Sequence, residues 1–172
     1  MYRRAQQLAA TYREQNVKRI LALLEEAAEL GHCEACFELG NWRHHGIGDV
    51  HDDAAAAALW ERAAARGHIE ARMNLAIAYE RGIGVARDPN RAFALYEACA
   101  GGGDLGAIYE VGRCSYYGIG TKTDRAAAAR YFESARRYGH AEAICDDAEC
   151  DQPRRMPRPT FMGPFRAVAR DS

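Results

Sequence analysis

The apolar and polar positions of this chain repeat. The stretch from Ala58 to Phe93 reads as two amphipathic runs, each closed by glycine. Shifted by 36 residues it falls on its own neighbours, and the window 22–57 is identical to it at 15 of 36 positions. The window 94–129 keeps the same punctuation with no insertion, and a partial copy starts at Arg130. A fixed period of this length is the mark of a helical repeat array. The pattern predicts an all-α chain of three full helix-turn-helix repeats plus caps, with about seven to nine helices.

The punctuation has local physical reasons. Asp52, Asp88 and Asp124 stand one period apart, each before an Ala-rich run. A carboxylate there accepts from the free N–H groups of a helix start, and Pro89 suits the first helical position. First helices are expected to stop at Gly31, Gly67, Gly103 and Gly139, and second helices at Gly46, Gly82 and Gly118. Glycine reaches the left-handed conformation that ends a helix. Gly-Ile-Gly follows three times, at 46–48, 82–84 and 118–120, with the isoleucine expected to plug the gap between helix pairs. Ala35, Ala71, Ala107 and Ala143 recur in the first turns of second helices, where small side chains let helix backbones approach closely.

Two further rows run along the first helices. Leu24, Trp60, Tyr96 and Phe132 stand one period apart, and so do Glu25, Glu61, Glu97 and Glu133. The aromatic row has two readings: packing between successive repeats, or a groove lining in which Trp60 and Tyr96 anchor a partner. The glutamates are either a solvated face or an acidic row beside that groove. The candidate partner-binding residues are therefore Trp60, Tyr96, Glu61, Glu97, Phe132 and Glu133.

Taken together, Arg62-Ala63-Ala64, Gly67-His68, Glu70-Ala71, Leu75, Tyr79, Gly82-Ile83-Gly84-Val85 and Asp88 resemble the Sel1-like repeat, a relative of the tetratricopeptide repeat. The resemblance covers about residues 21–145. It implies a right-handed α/α superhelical solenoid that serves as an adaptor or scaffold for other proteins, without a conserved active site. Some proteins of this kind are stapled by disulfides, with one cysteine on each helix of a pair. Here Cys99 takes the first place and Ala107 the second, so reduced thiols are expected instead.

The ends differ from the array. Residues 1–21 read as an N-terminal helical cap, 22–150 as the array (22–57, 58–93, 94–129 and a partial 130–150), and 151–172 as a tail. No Gly or Pro occurs in residues 1–30. Thr11 and Glu14 form a candidate capping box for a helix over about 12–30, with a short helix over Tyr2 to Ala10 before it. One continuous helix over about 2–30 is the alternative. The fourth copy turns polar at Arg136 and Asp147 where its equivalents are small or apolar, so the array is expected to end near Asp151. The tail holds Pro153, Pro157, Pro159 and Pro164. It is either a flexible end or a segment whose Phe161 to Phe165 dock on the last repeat, its arginines near the glutamate row.

Charge and chemistry narrow the function. A formal net charge of −1 argues against a nucleic-acid binder. No apolar run is long enough to span a bilayer, and no signal-peptide core opens the chain, so a cytoplasmic, bacterial-type protein is expected. Cys33-Glu34-Ala35-Cys36, between His32 and the pair His44 and His45, has the spacing of a redox pair or half a zinc site. Ala35 and His32 recur as repeat features, which favours packing, and no metal or cofactor is expected. No catalytic motif is present, so an enzyme is not expected. The function read here is a monomeric, non-catalytic adaptor that docks a protein or peptide in the groove, with no nucleic acid or membrane partner. The alternative is a toxin-blocking immunity protein or a host-targeting effector that uses the same groove.

Overall fold

The computed structural model describes residues 2–48 and 51–139, with side chains from residue 15 onward. Among the described residues there are seven helices and no strand: α1 (Tyr2–Glu29), α2 (Cys33–His45), α3 (Asp53–Ala64), α4 (Ile69–Arg81), α5 (Pro89–Gly101), α6 (Leu105–Tyr117) and α7 (Arg125–Arg137). They divide between Ala71 and Arg72, in the first turn of α4, into two compact units. The first holds α1, α2 and α3. The second holds most of α4 with α5, α6 and α7. The fourth copy beyond Gly139, with Asp147 and the end near Asp151, lies outside the described residues. So does the tail with its segment 161–165.

The predicted caps form. Asp52 Oδ1 accepts from the Ala55 N–H at 2.9 Å, Asp88 from Arg91 at 3.0 Å and Asp124 from Ala127 at 2.8 Å. Each aspartate also donates its own N–H to the second helix that precedes it. The acceptors are the carbonyls of Arg43 (2.9 Å), Tyr79 (2.9 Å) and Ser115 (2.8 Å). One residue thus opens a helix and fastens it to the end of the one before. Asp104 caps α6 in the same way, accepting from the Ala107 N–H at 2.7 Å.

At the N-terminus the single-helix alternative is the one found. α1 runs unbroken from Tyr2 to Glu29, so Thr11 lies inside the helix and opens nothing. No glycine or proline interrupts the run. Asn16, one period before Asp52, is likewise interior to the helix rather than at its start.

The aromatic row sits where first helices meet the second helix before them. Trp60 is wholly buried. Its ring lies over Gly40, where an added Cβ would come within 2.7 Å of Nε1, and Nε1 donates to Asn41 Oδ1 at 3.1 Å. Phe132 repeats the arrangement over Gly112, where a Cβ would meet the ring at 2.8 Å. Glycine in mid-helix costs about 1 kcal/mol against alanine; here it makes room for the next repeat's aromatic ring. In consequence α2 packs more extensively on α3 than on α1, and α6 more on α7 than on α5. Ile47, Ile83 and Ile119 of the Gly-Ile-Gly loops are half-buried.

The loop after α6 is pinned. Gly120 has φ +66, and a Cβ there would stand 1.9 Å from the Pro89 carbonyl oxygen at the start of α5. Gly120→Ala is expected to cost about 1–3 kcal/mol through the left-handed backbone alone, and more because the obstacle is main chain. Urea unfolding of the variant measures this; a midpoint equal to that of the parent would mean that the loop does not lie against α5.

Candidate partner-binding cleft

In the second unit, α5 and α7 flank α6 and leave a cleft of about 330 Å³ between them. Its wall on one side is Glu97, Ala100 and Gly101 of α5, and on the other Tyr131 and Ser134 of α7. Ile108 and Val111 of α6 form the floor. The helix pattern explains the composition. Val111 sits on the buried stripe of α6 and is 1% exposed, whereas Ala100 and Gly101 end α5 with little side chain and leave the space open. Behind the floor, Tyr109 and Ala135 form a small core with Ile108 and Phe132, and the Tyr109 and Phe132 rings are 5.5 Å apart. The cleft is a mostly apolar trough with one carboxylate on its rim: Glu97 is exposed and makes no ion pair among the described residues.

The six candidate residues fall in different settings. Glu97 lines the cleft. Phe132 and Glu133 share α7 with Tyr131 and Ser134, but Phe132 is half-buried over Gly112, and Glu133 is held by Arg136 at 2.8 and 3.0 Å. Glu61 is exposed on α3, in the other unit. Trp60 and Tyr96 are corrected: both are 0% exposed and are spent in packing, so they present no surface to a partner. Trp60 fills the space over Gly40 and donates to Asn41, and the Tyr96 O–H donates to Glu80. Tyr131, Ser134 and Ala100 were not among the candidates. Tyr131 is one residue before the aromatic row, and Ser134 one after the glutamate row.

A buried ionic group lies behind α5. Arg113 of α6 donates through Nε to Glu110 Oε2 and through Nη2 to Glu80 Oε2 of α4, both at 2.6 Å. The Tyr96 O–H donates to the same Glu80 oxygen at 3.1 Å. Burial pushes the Tyr96 phenol far above its usual range, and the charges of Glu80 and Glu110 add to this. For Arg113, burial works against the charge, but Glu110 and Glu80 outweigh it and the net shift is upward. Burial pushes the neighbouring Cys114 thiol up to about 12, so at neutral pH it is a protonated, inert group. The signal for this group is in the register: Arg113 stands where the two earlier copies have Ile77 and Asn41, and Glu80 where the copies before and after it have His44 and Tyr116.

The cysteine pair at the start of α2 is placed by packing. Cys36 is buried, with Sγ directed at the Ala28 carbonyl at 3.8 Å, and Cys33 is half-buried. Cys33, Cys36, Cys99 and Cys114 are free thiols. Among the described residues no three His, Cys, Asp or Glu side chains are placed to hold a metal ion. His44 Nδ1 lies 2.6 Å from Asp53 Oδ1, and the His68 ring stacks on Phe37 with centroids 4.4 Å apart.

A family model described as the Sel1 repeat matches residues 14–32, 33–68, 69–104 and 106–140. Among solved structures, the chain is similar to c5321, a protective antigen of uropathogenic Escherichia coli strains that displays an SLR fold. The two are 30% identical with a TM-score of 0.68, over 72% of this chain and 26% of that one. A Sel1 repeat protein from Oxalobacter formigenes is 28% identical with a TM-score of 0.64, over 72% of this chain and 49% of that one. Cysteine-rich protein B of Helicobacter pylori, 22% identical with a TM-score of 0.58 over 76% of this chain and 93% of that one, shares the fold. The chain therefore spans about a quarter of the first of these proteins and half of the second. None of the curated proteins compared with the chain matches it.

Proposed function

Because the chain belongs to the Sel1 repeat family, whose all-α helical repeats serve in protein–protein interaction, we propose that it is a non-catalytic adaptor that docks a protein or peptide segment in the α5–α6–α7 cleft. The observation that carries this is the cleft itself: an open, mostly apolar trough of about 330 Å³ whose rim carries Glu97, a carboxylate with no ion pair among the described residues. That combination suits a short segment with one apolar side chain and a basic group beside it. Glu97 would meet the basic group as a rim charge and act mainly on partner choice and association rate. The acidic row narrows accordingly, since Glu133 is already engaged by Arg136. No helix among the described residues is long and apolar enough to cross a membrane.

The test is co-purification of the full chain from its native cells, compared with two cleft variants. Glu97→Arg reverses the rim and Ser134→Trp fills the trough. Both are expected to lose the partner by tenfold or more while the thermal melt stays within 2 °C of the parent, because neither side chain is buried. A partner retained by both variants would place docking elsewhere. A toxic enzyme as sole partner would identify the immunity reading of the same cleft.

A further inference from the structure

The first unit carries an apolar face that no other helix among the described residues covers. On α1, Ile20 and Leu23 are 43% and 57% exposed, and Leu30, just past the helix end, is 75% exposed. With Asn16 and Ala27 they fall at alternating spacings of three and four residues, which puts them on one face. One period on, Ala56, Leu59 and Ala63 of α3 are 0, 9 and 0% exposed, with the Ala56 backbone lying against Gly40 of α2. A second helix thus covers the face on α3, and among the described residues none does so on α1. The reason is backbone continuity. α1 passes straight through Asn16, where Asp52 would open a helix after a turn, so residues 2–15 extend the axis and do not fold back over residues 16–30.

We propose that a second copy of this chain covers this face, with the two α1 helices packed antiparallel about Leu23. The layout is self-complementary. About Leu23 as centre, Ile20 of one copy falls opposite Ala27 of the other, and Asn16 opposite Leu30. Arg19 and Glu26 stand seven residues apart on one flank of the face. Both are exposed, and neither has an ion-pair partner among the described residues. In an antiparallel pair related by a two-fold axis, the same flank of both helices lies on one side of the seam. Arg19 of each copy then meets Glu26 of the other, whereas in a parallel pair this flank would face the opposite flank of the partner helix and the two charges would not meet. The opposite flank, with Leu21 and Ala28, is taken up by α2 and the turn after it, which leaves the seam accessible. The adaptor expected from sequence as one copy becomes a pair, and this does not depend on the cleft, which lies in the other unit.

Sedimentation equilibrium of the full chain over micromolar concentrations tests this, with the mass of two copies expected. Leu23→Glu is expected to give one copy with an unchanged helical circular-dichroism spectrum, since Leu23 is exposed. Arg19→Glu and Glu26→Arg are each expected to weaken the dimer by roughly tenfold. Mixing those two variants restores opposite charges at both contacts and is expected to recover the dimer; so is combining them in one chain. A wild-type chain that sediments as one copy overturns the proposal, as does a Leu23→Glu variant that remains a dimer. A dimer that neither mixing nor combination of the charge variants restores overturns the antiparallel arrangement.

Discussion

Arg113→Met is expected to lose about 3–5 kcal/mol of stability at neutral pH. Methionine keeps most of the arginine's volume, so the loss comes from charge. It leaves the Glu110 and Glu80 carboxylates, both largely buried and both now within 2.6 Å of the arginine, without their shared cation. Burial and the neighbouring like charge will raise the carboxyl pKa of the folded variant above that of the unfolded chain. A folded state that holds its protons more tightly is stabilised as pH falls and loses that stabilisation as pH rises through the folded pKa. The deficit against the parent should therefore shrink from pH 7 to pH 5, which urea unfolding at the two values measures. Adding Glu80→Gln should return part of the lost stability at pH 7. An equal deficit at both pH values would mean that the carboxylates do not depend on Arg113.

Trp60→Ala is the other large loss, about 3–5 kcal/mol. The indole is fully buried between α3 and α2 and fills the space that Gly40 leaves. Its removal empties that space and also deletes the Nε1–H bond to Asn41 Oδ1. Gly40→Ala cannot repair the gap with a single methyl group, so the double variant should stay well below the parent. Guanidinium unfolding followed by far-ultraviolet circular dichroism gives the value. A variant as stable as the parent would return Trp60 to the partner-binding set.

These two sites mark where reading the chain succeeds and where it stops. The aspartate caps and the glycine stops were legible because their chemistry is local: a carboxylate three residues before a free N–H, and a residue able to take positive φ. The aromatic row was legible as a row, but periodicity alone does not tell a docking surface from packing. A residue that returns every 36 positions most often answers a need shared by every repeat, and the shared need is to fill the space between helices. Trp60 and Tyr96 recur for that reason and are buried. The cleft depends on the opposite kind of residue, such as Gly101 and Ser134, which departs from the repeat and is unremarkable on its own. Arg113 is a departure as well. Its two carboxylate partners lie on different helices, at separations that no local pattern encodes. The unbroken α1 was one of two readings, because a run without Gly or Pro permits a helix without stating where it must begin.

The double use of Asp52, Asp88 and Asp124 bears on how such a chain can grow or shrink. Each of these residues binds the helix it opens to the helix behind it, and the aromatic ring on glycine adds to the same joint. The sturdy block is therefore a second helix with the first helix of the following repeat: α2 with α3, and α6 with α7. The weaker joints fall at the turns 30–32 and 102–104, where the helices pack less extensively on each other; Asp104 still links α5 to α6, but no ring is seated on a glycine there. Recombination that cuts there exchanges whole blocks and leaves their internal fittings intact, whereas a cut inside a Gly-Ile-Gly loop separates a ring from its seat. A designer who wishes to insert or remove one unit should splice at Gly31 or Gly103 and leave the longer loops whole.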